Sequence, residues 1–221
     1  MDEKLSELIT VSEPRSPISE AYRALRTNLD FASLDQALKT LVVTSAGVGE
    51  GKSTTLANLA VVSAQAGRKV VLVDADLRRP TLHQIFGLSN EIGLTTAMRD
   101  EAALASPPVQ ETGIKGLGVL TSGPLPPNPA DLMGARRMED VIGVLVEQAD
   151  QVIFDTPPVV AVTDAAVLAT KVDGVLLVIS AGRTRREQAR TAVQRLEQVN
   201  ARLVGTVLTN LQMEAVFQGY Y

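Results

Sequence analysis

The stretch Leu41-Val42-Val43-Thr44-Ser45-Ala46-Gly47-Val48-Gly49-Glu50-Gly51-Lys52-Ser53 decides the fold of this chain. An apolar run rich in valine gives way to a glycine-rich turn, and the turn opens a segment with helical spacing over residues 53–66. Gly51-Lys52-Ser53 fits the Gly-Lys-Ser/Thr end of a phosphate-binding loop, with Ala46 in the first position, where glycine is commoner. Glycines let successive amides converge on one centre, and the helix N-terminus adds partial positive charge. Lys52 is placed to reach the β and γ phosphates, and the Ser53 hydroxyl to ligate Mg²⁺. The expected nucleotide contacts are therefore Gly47, Val48, Gly49, Glu50, Gly51, Lys52, Ser53 and Thr54.

Outward from this loop, short apolar runs recur at residues 70–73, 118–120, 152–154, 175–179 and 204–208. They lack polar alternation, as strands buried on both faces between helical layers do. Segments 135–148, 163–170 and 185–199 carry helical spacing. Strand alternating with helix predicts an α/β fold, an open, mostly parallel, doubly wound sheet with helices on both faces. Ser16-Pro17 pairs an N-cap residue with proline at the first helical position, and Ile18, Tyr22, Leu25 and Leu29 follow as an apolar stripe of a helix packed on something. Gly123 to Pro129 reads as an ordered loop feeding a helix near Ala130.

In 221 residues, 45% are hydrophobic and 21% charged, which excludes a disordered chain and suits a globular one. The net charge of −4 offers no broad basic surface, so no nucleic-acid partner is expected. With no cysteine and only His83, disulfides, thiolate zinc sites and metal clusters are excluded, and any metal must be a hard, oxygen-bound cation. His83 is assigned to a helix surface without a chemical role. The longest apolar runs fall far short of the roughly 20 residues of a spanning helix, and a cytoplasmic location is expected.

Two further strands end in carboxylates, Val70-Val71-Leu72-Val73-Asp74-Ala75-Asp76 and Val152-Ile153-Phe154-Asp155. In an open parallel sheet these ends share the carboxyl edge with the glycine-rich loop, where ligands bind. Ser53, Asp76 and Asp155 are the expected metal residues, while Asp74 and Asp76, with Lys52, are the catalytic candidates, able to accept a proton from the attacking group. Arg78 and Arg79 suit phosphate or an acidic partner, and Arg183, Arg185 and Arg186 cluster at a helix start.

Asp74-Ala75-Asp76-Leu77-Arg78-Arg79-Pro80 resembles the second acidic motif of the bacterial tyrosine autokinases of capsule and exopolysaccharide synthesis. Glu20-Ala21-Tyr22-Arg23-Ala24-Leu25-Arg26-Thr27-Asn28, Gly123 to Leu132 and Asp155-Thr156-Pro157-Pro158 resemble the same family, so the likeness runs from Ser16 to Asn210. It implies a P-loop kinase domain over 16–213, an N-terminal extension over 1–15 and a tail over 214–221. It also implies ATP and Mg²⁺ as cofactors, with Asp74 or Asp76 deprotonating the acceptor tyrosine. Glu20, Arg23 and Arg26 match the family's oligomer-forming motif, Asn210 matches an adenine contact, and Tyr220 and Tyr221 match tail acceptors presented to a neighbouring subunit. The implied partners are further copies of the chain and a membrane-anchored activator in trans, which would draw the protein to the inner face of the plasma membrane. The wider relatives, division-site and partition ATPases, carry a signature lysine at the second loop position; here that residue is Gly47, which favours the kinase branch over an ATPase switch, while intact Lys52, Ser53, Asp74, Asp76 and Asp155 count against a scaffold that holds ATP and transfers nothing.

Overall fold

A computed structural model describes residues 5–32, 34 and 36–211. Its centre is a sheet of seven strands: β1 (Thr40–Ser45), β2 (Val70–Asp74), β3 (Gln110–Glu111), β4 (Leu117–Leu120), β5 (Gln151–Asp155), β6 (Gly174–Ser180) and β7 (Leu203–Thr209). Their spatial order is β3-β4-β2-β5-β1-β6-β7, and every pair is parallel except the short antiparallel β3 on β4. The helices are α1 (Ile9–Ser12), α2 (Pro17–Ala32), α3 (Lys52–Gln65), α4 (Leu82–Phe86), α5 (Leu94–Ala97), α6 (Glu101–Ala105), α7 (Pro129–Gly134), α8 (Arg136–Gln148), α9 (Asp164–Ala169) and α10 (Arg186–Gln198), with a 3₁₀ turn at Leu5–Glu7.

The central strands bury both faces, because successive side chains point to opposite sides and each side meets helices. Val42, Val71, Val73, Val152, Phe154 and Val175 enter the core shared with α8 and α9. Leu41, Val43, Leu72, Ile153, Leu176 and Val178 enter the opposite core with α3. The apolar run at 204–208, expected to be buried on both faces, is instead a half-covered edge strand with Leu208 55% exposed. It lies at the end of the strand order, and among the described residues no strand adjoins its outer edge.

Helix α3 is nearly buried all round, because α2 lies over its outer side. Leu29 of the predicted stripe is buried in that second layer, and Tyr22 and Leu25 pack against it. Burial raises the Tyr22 pKa, while a hydrogen bond with Thr55 opposes the shift. Ile18, the first residue of the stripe, is exposed. Residues expected to form an extension also reach this core: Leu5 and Leu8 are buried in it, and the Thr10 amide and hydroxyl both donate to Asn58 Oδ1.

Candidate functional site

The parallel register carries the three sequence motifs to one edge. Asp74 and Asp155 are direct neighbours across β2 and β5, and Val43 of β1 pairs with Asp155. The loop from Ala46 to Gly51 leaves β1 at this edge and opens α3. Gly49 and Gly51 adopt φ of +72° and +82°, a left-handed conformation that glycine adopts without steric penalty. Gly51 is the N-cap of α3, so the Lys52 and Ser53 amides begin the helix at the loop's mouth.

A cavity of about 610 Å³ opens over this loop and is walled on its far side by Asp76, Arg78, Thr81, Ile85, Pro158 and Val162. The Lys52 ammonium forms an ion pair with Asp155 Oδ1, stands 3.9 Å from Asp76 Oδ2 and donates to the Ser53 hydroxyl at 3.1 Å. The two carboxylates of the second motif differ sharply. Asp76 lines the cavity, and its Oδ1 accepts hydrogen bonds from the Arg78 and Arg79 amides at 3.3 and 3.0 Å, which leaves Oδ2 turned toward Lys52. Asp74 lies below the cavity wall, fully buried, with Oδ2 accepting from the Thr81 and Leu82 amides at the start of α4. Burial, reinforced by the Asp155 charge, raises the Asp74 pKa to about 7. Burial also raises the Asp76 pKa, with Lys52 opposing it.

These oxygens fit a hard cation. Asp155 Oδ2 and Asp74 Oδ1 are buried with no hydrogen-bond partner among the described residues, and Ser53 Oγ and Asp76 Oδ2 lie beside Lys52. No group of three or more His, Cys, Asp or Glu side chains among the described residues forms an all-protein cage. A hydroxyl with one or two carboxylates is the donor set Mg²⁺ takes when substrate phosphates and waters complete its shell.

The other expected residues are placed as follows. Asn210 stands at the end of β7 on the same edge, in the left-handed region at φ +58°, and its side-chain amide donates to the Ala181 carbonyl at 3.4 Å. Glu20 and Arg23 form an ion pair on the exposed side of α2. Arg26 instead turns inward and donates to the Val62 carbonyl of α3 at 3.2 Å. His83 is half-buried on α4. Tyr220 and Tyr221 lie outside the described residues.

Several supporting contacts were not legible from spacing. The hydroxyls of Thr184 and Thr209 donate to Glu50 Oε1 and the Glu50 carbonyl at 2.5 and 2.7 Å, and Arg183 donates to the Gly49 carbonyl at 3.0 Å. Thus the residues between β6 and α10, with the end of β7, brace the outer side of the phosphate-binding loop. Arg78 Nε and Nη2 donate to both carboxylate oxygens of Asp164 at 2.8 and 3.0 Å, and that hydrogen bonding raises the Arg78 pKa. The available signal was Asp164 at the start of a helical segment, which reads by itself as an acid complementing the helix dipole.

Residues 41–216 match the CobQ/CobB/MinD/ParA nucleotide binding domain. The tyrosine-protein kinase YwqD of Bacillus subtilis is 46% identical over 97% of this chain and 90% of its own length. The tyrosine-protein kinase CpsD of Streptococcus agalactiae is 36% identical over 91% of this chain and 87% of its own. The crystal structure of the chimerical protein CapA2B2 superposes with a TM-score of 0.85 at 40% identity, covering 92% of this chain and 89% of that one.

Proposed function

The chain belongs to the bacterial tyrosine-protein kinase family within the CobQ/CobB/MinD/ParA nucleotide-binding domains, and from that premise we propose that it is an ATP- and Mg²⁺-dependent protein-tyrosine autokinase. Its biological setting in this reading is regulation of capsular or exopolysaccharide synthesis and export. One observation carries the proposal: Lys52, Ser53 and Asp76 converge on a single cavity in a chain 46% identical to a tyrosine-protein kinase over nearly its whole length.

Little covalent work falls to the protein in phosphoryl transfer, so positioning and charge dominate. The amides of Gly47 to Thr54 cradle the phosphates, and Lys52 moves from Asp155 to the β and γ phosphates. Ser53 Oγ and Asp155 would hold Mg²⁺, with Asp76 sharing it through water, and the bound cation would neutralise phosphate charge and orient the group being transferred. Asp76 Oδ2, on the cavity wall, takes the proton of the attacking tyrosine hydroxyl. Asp74, lodged beneath, holds α4 and the loop before it rather than meeting the acceptor.

Acceptors in this reading are Tyr220 and Tyr221, offered to the cavity of another copy of the chain, with Glu20 and Arg23 on the exposed side of α2 forming part of the contact between copies. Arg26, tied to α3, contributes by fixing the helix that carries them. No helix among the described residues is long and apolar enough to cross a membrane. In this reading a membrane-anchored activator acting in trans supplies the link to the bilayer.

Intact mass and tryptic mapping after incubation with ATP and Mg²⁺, with and without a cytoplasmic fragment of such an activator, test the proposal. Phosphate added to Tyr220 or Tyr221, and lost in Lys52→Met and in the Tyr220→Phe/Tyr221→Phe double variant, is the expected result. Release of inorganic phosphate with no protein phosphorylation under any condition would replace the kinase reading with a nucleotide-driven switch.

A further inference from the structure

Asp164 is the first residue of α9, and its side chain is 1% exposed. Among the described residues its ion-pair partner is Arg78, whose side chain is 40% exposed and lies on the cavity wall. The contact is bidentate, the geometry in which a guanidinium is most strictly oriented. Asp164 is taken out of water while the guanidinium keeps part of its hydration, so their attraction first has to offset the desolvation of a buried carboxylate and the pair adds little net stability. Fixed geometry is what such a pair supplies, and the question is what this one fixes.

The same arginine donates its backbone amide to Asp76 Oδ1. Holding the Arg78 side chain on α9 therefore restrains the turn that grips Asp76. Asp164 follows β5, while Arg78 follows β2, so the pair spans the two neighbouring strands whose ends carry Asp155 and Asp74. We infer that Asp164 is a positioning residue, which acts through its two-point contact with Arg78 to hold the Asp76 carboxylate with one oxygen on backbone amides and the other presented to the metal and nucleotide. Neither Asp164 nor the Arg78 guanidinium is required to touch the reacting atoms. The inference rests on the role given above to Asp76.

Partners that orient a metal-binding carboxylate typically change metal affinity or activity by 10 to 100-fold when removed. The test is a Mg²⁺ titration of binding to a fluorescent ATP analogue by the full chain, in wild type, Asp164→Asn, Arg78→Gln and the double variant, with thermal melts of each. Each single variant is expected to raise the half-saturating Mg²⁺ about tenfold. In Asp164→Asn, affinity for the analogue without Mg²⁺ stays unchanged, since neither the phosphate-binding loop nor any cavity-lining side chain is altered. The double variant is expected to be no worse than either single, because both changes remove one contact. Arg78→Gln alters a side chain that is 40% exposed, so it decides the matter if Asp164→Asn fails to fold.

Half-saturating Mg²⁺ within about twofold of wild type in the folded variants, or losses that multiply in the double variant, overturns the inference. If wild type phosphorylates no tyrosine but the Mg²⁺ shift is found, the kinase reading falls and the inference stands. Tyrosine phosphorylation in wild type with no shift in the variants removes the inference alone.

Discussion

Asp74 shows how a residue can be placed against stability. It is fully buried beside Asp155, and its pKa is raised from the ordinary carboxylate range to about 7. The native state therefore binds a proton more tightly than the unfolded chain, so this group's contribution to stability falls as pH rises from about 4 through 7. Asp74→Asn keeps an oxygen for the Thr81 and Leu82 amides and removes the charge. We expect it to melt several degrees above wild type at pH 8, with the gap narrowing as pH is lowered toward 5; an equal or lower melting temperature at pH 8 would count against a raised pKa. Glu50 is the opposite case, since its Oε2 is buried without a partner among the described residues and only Thr184 serves Oε1. Thr184→Val leaves the whole carboxylate unserved, at a cost of about 1–3 kcal/mol read from a denaturant midpoint. Weaker nucleotide binding should accompany it, because Glu50 belongs to the phosphate-binding loop. Gly47 shares this environment, as a Cβ there would stand 3.0 Å from Glu50 Oε1. The second loop position, read in the sequence as a nucleotide contact and for the lysine it lacks, thus lies against a buried carboxylate.

At the scale of elements, α3 and α2 divide labour. α3 is packed between the sheet and α2, so Leu59→Ala opens a cavity where nothing can collapse freely, and a loss of about 2–5 kcal/mol in unfolding free energy is expected. Glu20→Ala/Arg23→Ala removes a surface pair on α2 together with the hydrogen bond from Arg23 to the Pro14 carbonyl. That double variant should melt within about 2 °C of wild type, as surface pairs contribute little. If the pair lies between copies, light scattering should show a smaller assembly; an unchanged assembly would remove Glu20 and Arg23 from the interface. The long elements were legible in sequence because valine-rich runs and multi-turn apolar stripes repeat often enough to show their period. β3 spans two residues and α4, α5 and α6 four or five each, less than two turns, so no period could be seen. The acidic strand ends were legible as a set, but not the difference between Asp74 and Asp76, which follows from which oxygen meets which amide. Contacts such as Arg78 with Asp164, 86 residues apart, are products of the fold and leave no local pattern.

The molecule as a whole is a sheet with two unequal cores, and its N-terminal residues help close one of them. Leu5 and Leu8 cover that core, and Asn58 of α3 receives both donors of Thr10. Removing residues 1–12 exposes apolar surface and strips Asn58 Oδ1 of both its donors, while Nδ2 keeps the Thr54 carbonyl. At about 1.5–3 kcal/mol for each leucine, the truncated chain should unfold at a clearly lower urea concentration. An unchanged midpoint would show that these residues cover the core without stabilising it. The strand order has a consequence for how the chain is made. β1, which leads into the phosphate-binding loop, finds both of its partners only in β5 and β6, and 113 positions separate Val43 from Thr156, whose amide and hydroxyl both donate to its carbonyl. At about 5–20 residues per second on the ribosome, that strand waits on the order of 5–20 s after it is synthesised before its first neighbour exists. Throughout that interval both edges of this valine-rich strand stand open in the newborn polypeptide, and α3, made directly after it, is at hand to cover only one of its two faces.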